Sequence, residues 1–144
     1  MGVQELFESY DKRKRKSHFK NLLAVAMADG KLENIEFDYI MQLASKCYIS
    51  EEEIKRVIEH PEAISFVPPK TDREKFDQLY DLVTVMLVDG EIDNRELTLC
   101  KTFAMRLGFR TQIIDDMIRN IITNVVKGIA AEIAINEFSN MLDE

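Results

Sequence analysis

Apolar residues recur along this chain in steps of three and four, and no sustained stretch alternates apolar with polar. Phe19, Leu22, Leu23, Ala26 and Met27 mark one face, and Phe37, Ile40, Met41 and Ala44 mark another. Phe76, Leu79, Val83, Met86 and Leu87 repeat the pattern, as do Leu97, Cys100, Phe103, Ala104 and Leu107. Ile113, Ile114, Met117, Ile118, Ile121, Ile122 and Val125 form a two-row stripe. A period near 3.6 places such residues on one side of a helix, so each run predicts an amphipathic helix with one buried side.

Helix ends are written in the polar residues between these runs. Ser50 with Glu53, Thr71 with Glu74 and Asp93 with Glu96 have capping-box spacing. There the cap side chain accepts a backbone N–H of the first turn and the acid reaches back to the cap. Thr111 fits a cap without the acid. Gly30, Gly90 and Gly108 fit positions just past a helix, where a positive φ is cheap for glycine. Pro61 and the pair Pro68-Pro69 stop helices.

The spacing predicts helices over 3–10, 17–28, 34–46, 51–59, 72–88, 94–107, 112–126 and 129–142. Gly128 marks a break or a weak point before the last, and 60–70 is a connector. The expected fold is all-α: one domain over 1–144, a compact bundle of about seven to eight helices.

The halves resemble each other. Residues 24–58 align on 84–118 without a gap, with eight of 35 positions identical. Four of the eight fall in one short turn, as Asp29, Gly30, Asn34 and Glu36 against Asp89, Gly90, Asn94 and Glu96. An internal two-fold helical repeat, roughly 17–59 and 72–126, is the expected organisation.

The repeated turn carries the candidate chemistry. An Asp at a helix C-terminus faces the negative end of the dipole, which costs about 0.3–1 kcal/mol. One compensation is structural: Asp29 and Asp89 shape Asx turns, and Glu36 and Glu96 serve the next helix as capping acids. The other is a hard-cation site, because Asp, Glu and free helix-end carbonyls are the ligands of Ca²⁺ or Mg²⁺. The candidate metal residues are Asp29, Glu36, Asp89 and Glu96, with Glu33 and Asp93 weaker. Asp89, Glu91, Asp93 and Glu96 begin like an EF-hand loop. Asn94 stands where its glycine belongs and Cys100 where its bidentate Glu belongs, so an EF-hand is excluded.

Taken together, the phrase apolar-Asp-Gly-x-apolar-acid-x-x-Glu, occurring twice about sixty residues apart in a helical chain, resembles the TerB family of tellurite-resistance proteins. The likeness covers about 17–126, with Met27 to Glu36 as the first motif and Leu87 to Glu96 as the second. It implies a compact bundle of about seven helices in a bacterial protein. It also implies a metal-chelating acidic cluster and an association with stress response, tellurite resistance and membrane-associated complexes. In the first copy Glu33 replaces a better capping residue.

Charge and composition narrow the functions. The net charge is −7, which disfavours nucleic-acid binding. Yet Lys12, Arg13, Lys14, Arg15 and Lys16 follow one another, either as a solvated charged face beside a helix start or as a phosphate or anionic-lipid contact. Cys47 and Cys100 form no CxxC pair and are expected as free thiols, consistent with a cytoplasmic protein. The chain shows no leader pattern and no run long enough to span a membrane. His18 and His60 lack zinc-site spacing, and His18 is expected as a solvated helix residue.

No phosphate-cradling glycine loop and no nucleophile elbow occurs, and the paired carboxylates have no companion group for acid–base work. The expected function is therefore non-enzymatic: an acidic helical domain that binds a divalent cation of Ca²⁺ or Mg²⁺ type or acts as a stress-response scaffold for a protein partner. The alternative is a protein-interaction module whose Asp-Gly turns are purely structural.

Overall fold

The computed structural model describes residues 9–28, 34–46, 49–88 and 92–128, and all regular structure among them is helical. Six α-helices follow in order: α1 (Tyr10–Ala26), α2 (Asn34–Lys46), α3 (Glu51–Glu59), α4 (Asp72–Leu87), α5 (Asn94–Leu107) and α6 (Thr111–Val126). A single 3-10 turn, Pro61–Ala63, sits between α3 and α4. The described residues hold six helices where seven to eight were expected for the chain; the helix expected at 129–142, and residues 3–8 of the one expected at 3–10, lie outside the described residues.

The main departure is at the start. A break between 3–10 and 17–28 was expected, but α1 begins at Tyr10 and runs unbroken through the basic run. Ser9 caps it, its hydroxyl accepting from the Lys12 N–H at 3.2 Å. Lys and Arg are good helix formers once their charge is offset, and acids on neighbouring helices do so here. Lys12 pairs with Glu53 of α3 at 3.5 Å, and Lys14 with Glu74 of α4. A smaller departure concerns α6. Thr111 is its first residue rather than its cap, and Arg110 at the cap makes no side-chain bond.

Other ends are as the sequence implies. Ser50 and Glu53 form a complete capping box on α3, and the Thr71 hydroxyl accepts from the Glu74 N–H on α4. Gly108 ends α5 at φ 106°. A Cβ there would meet only Lys75 Nζ at 3.5 Å, so substitution brings backbone strain rather than a clash. Gly108→Ala is expected to lower stability by about 1–2 kcal/mol. Gly128→Ala, past the last described helix with open space around it, is expected to lower it less. Urea unfolding of the two variants side by side checks this order.

Helices α1 and α4 form the centre. Tyr10 meets Pro68, Lys14 meets Glu74 and His18 meets Asp81, so contacts advance in the same sense along both and the two helices run in the same direction. Helices α2 and α3 pack on α1, and α5 and α6 pack on α4; α2 also reaches α4, and α5 reaches α1. Phe19, Leu22, Phe76, Leu79, Leu82 and Met86 fill the space between them. Buried positions recur sixty residues on: Leu22 and Leu82, Val25 and Val85, Ile40 and Cys100, Ala44 and Ala104, Val57 and Met117.

The connector at 60–70 is fastened to α1 rather than looped away. Tyr10 Oη donates to the Pro68 carbonyl at 2.6 Å, the Val67 N–H to Ser17 Oγ at 2.9 Å, and Lys20 Nζ to the Ile64 carbonyl at 2.8 Å. Ile64 and Val67 are buried, and the Arg106 guanidinium lies 4.0 Å over the Phe66 ring. No helix among the described residues is long and apolar enough to cross a membrane.

Candidate functional site

Three of the six candidate carboxylates, Asp29, Glu33 and Asp89, lie outside the described residues. The other three have two different fates. Asp93 is the cap of α5. Its Oδ1 accepts from the Arg95 N–H at 2.8 Å and the Glu96 N–H at 3.4 Å, and its Oδ2 meets the Arg95 guanidinium at 3.1 Å. These bonds, from Arg95 first, hold its carboxyl below the usual aspartate range. Asp93 is thus engaged as a helix cap.

Glu36 and Glu96 are different. Each lies in the first turn of its helix, where a capping acid is expected near the surface, yet they are only 1% and 3% exposed. Their helix faces explain this. Glu36 heads the row Glu36, Ile40, Ala44, and Glu96 heads the row Glu96, Cys100, Ala104, each at steps of four and each buried throughout. A buried carboxylate loses several kcal/mol of hydration unless neighbours replace it. Both side chains have polar or charged interactions. Glu53 of α3 and Glu74 of α4, which occupy the same helical position, are less buried, with side chains 17% and 46% exposed.

Cys100 lies one turn after Glu96. Burial first, and then the charge of Glu96, pushes its thiol up to about 12. It is a free, protonated core thiol with neither the ionisation nor the access a ligand or nucleophile needs. Cys47 lies outside the described residues.

No family model, curated protein or solved structure matches the chain. The chemistry of the site therefore rests on its own geometry. Among the described residues no group of three or more His, Cys, Asp and Glu gathers as a metal-binding set. What the described part supplies is two buried carboxylates, one at the start of each helix that follows an Asp-Gly pair. Oxygen donors of this kind suit Ca²⁺ or Mg²⁺ rather than softer metals.

Two expectations about the basic end of the chain are corrected. His18 is not solvated. It is 6% exposed, and its Nε2–H donates to Asp81 Oδ2 at 2.9 Å. A helical face shared with Leu22 and Val25, four and seven residues on, carries it inward. Tyr39 of α2 adjoins the same pair; burial first, and then the charge of Asp81, pushes its phenol up. His18 Nδ1 is buried and makes no hydrogen bond among the described residues. The basic run is likewise not one solvated face. Lys16 is 3% exposed, and Lys12 and Lys14 are engaged by acids of other helices. His60 stays at the surface, its Nδ1 3.4 Å from Glu62.

Proposed function

We propose that this chain is a non-enzymatic acidic helical domain of TerB type, in which the two repeated turns hold divalent cations of the Ca²⁺ or Mg²⁺ class and so tie a folded scaffold to metal availability or stress. The observation that carries this reading is the burial of Glu36 and Glu96, sixty residues apart, at 1% and 3% exposure. A capping role alone is satisfied by an exposed acid, as at Glu74. Two carboxylates drawn inward at matched positions, each beside an Asp-Gly pair, fit a role in which a cation offsets their charge. Asp29 and Asp89 would supply the remaining charged oxygens. Helix starts sixty residues apart, Asn34 with Asn94 and Glu51 with Thr111, support the duplication on which the reading rests.

The test is a thermal-melt titration of the full chain with Ca²⁺, Mg²⁺, Mn²⁺ and Zn²⁺. The wild type is expected to melt several degrees higher in millimolar Ca²⁺ or Mg²⁺, and the Asp29→Asn/Asp89→Asn variant to lose that gain. Asparagine keeps the turn-forming side chain and removes only the charge. A wild type indifferent to millimolar metal, melting like the variant throughout, would sink the proposal. That outcome would favour a protein-interaction module instead, for which the exposed side chains of Ile35 (54%) and Ile92 (51%) beside the turns are the supporting observation.

A further inference from the structure

The first half of the bundle leaves open a space that the second half fills. Helix α3 ends at Glu59, just before Pro61, whereas α6, starting sixty residues later than α3, continues to Val126. Ile118 and Ile121 on that longer helix are buried at 2% and 0% exposure. At the corresponding places of the first half, Ile58 is 47% exposed and Pro61 has already turned the chain. The result is a groove of about 370 Å³ between α1, α2 and α3. Leu23 and Val57, 7% and 1% exposed, form its floor, Phe37 adjoins them, and Met27 and Ile58 stand half-exposed as its lips.

Among the described residues one charged side chain lines this apolar surface, Lys20 of α1. Its ammonium gives one hydrogen to the Ile64 carbonyl, which holds it in place and leaves two donors. Lys12 and Lys14 on the same helix pair with Glu53 and Glu74, but Lys20 forms no ion pair among the described residues. In an acidic chain, a cation held at an apolar groove with no acidic partner among the described residues is complementary to an anion joined to an apolar tail. The volume is at the small end for ligand sites, which run roughly 300–1,000 Å³, so it suits one alkyl chain and not a two-chain lipid.

We propose that the groove binds a free, single-chain fatty carboxylate of medium length, with its tail over Leu23 and Val57 and its head at Lys20. The groove borders the first acidic motif at Met27 and Phe37, but its reading does not depend on whether the turns bind metal.

The test is calorimetric titration of the full chain with the saturated carboxylates from octanoate to tetradecanoate and with the matching alcohols. Affinity is expected to tighten about fourfold per methylene until the groove is full. Lys20→Met is expected to weaken the carboxylates about tenfold and leave the alcohols unchanged. Ala24→Phe fills the groove from the half-buried face of α1 and is expected to abolish both. Because that variant can disturb packing, Ile58→Glu on the exposed lip serves as a second one and is expected to weaken carboxylates more than alcohols. No binding by the folded wild type overturns the proposal, as does equal binding of acids and alcohols that ignores Lys20→Met. Two further results would assign the groove to another occupant and also overturn it. One is a concentration-dependent dimer lost in Ala24→Phe. The other is a Met27→Cys thiol, in a Cys47→Ser background, already shielded from alkylation before any carboxylate is added.

Discussion

Truncating Phe76 to alanine is expected to lower the unfolding free energy by about 3–5 kcal/mol. The ring is fully buried in α4, at the contact with α1, and lies tilted against Tyr80 with centroids 6.2 Å apart. Its removal leaves a cavity that rigid helices on both sides cannot close, so the loss exceeds simple transfer of the ring to water. Domains of this kind have only about 5–15 kcal/mol in total, so the variant is expected to sit near the edge of folding. At roughly 3 °C per kcal/mol, the melting temperature should fall by about 10 °C or more. Ile35→Ala, at a side chain 54% exposed, is the matched control and should change stability by less than about 0.5 kcal/mol. Urea unfolding followed by circular dichroism reads both. Similar midpoints for the two variants would show that α4 is not the centre of the core.

The second large effect concerns Glu36 and Glu96, and its size depends on metal. In metal-free buffer the Glu36→Gln/Glu96→Gln double variant should be less stable than the wild type by about 1–3 kcal/mol, because both carboxylates already have polar or charged interactions that an amide replaces only in part. With cation present at a hundred times its dissociation constant, the wild type should gain about 2.7 kcal/mol and the double variant almost nothing. The gap between the two should therefore widen as metal is added. Paired melts with and without chelator measure this. A gap that stays constant as metal is added would mean that the carboxylates serve the fold alone, and a gain that survives the substitutions would place the cation elsewhere.

Much of the helical frame was legible because it depends on local signals. Helices α2, α3 and α5 begin and end at the residues that apolar spacing and caps indicate, and α4 differs by one residue at its end. Asp93, Ser50 and Thr71 cap as their side chains suggest. The unbroken start of α1 has no local signal, because a run of five cations stands as a solvated face beside a helix start until acids far away in sequence are brought to it. Glu53 and Glu74, which accept Lys12 and Lys14, lie on α3 and α4. The burial of His18 had a local signal, its spacing from Leu22 and Val25, but its partner Asp81 had none. At the candidate site, sequence singled out Glu36 and Glu96 without showing that they are buried. That follows from which face of α2 and α5 meets the centre, a tertiary fact that the steps of four only outline. The groove beside Lys20 had no signature at all, since it comes from a helix stopping two turns earlier in one half than in the other.

The shared direction of α1 and α4 also bears on how the chain reaches its fold. The polar pairs along their contact join residues 58, 60 and 63 positions apart. In an up-and-down bundle, neighbouring helices are close in sequence and can zip together one hairpin at a time. Here the central contact cannot form until α2, α3 and the connector have been looped out and closed, an entropic toll on the transition state. Folding should accordingly be slower than the helical content suggests, and the nucleus is expected to bring Phe19 and Phe76 together rather than to grow from either half alone.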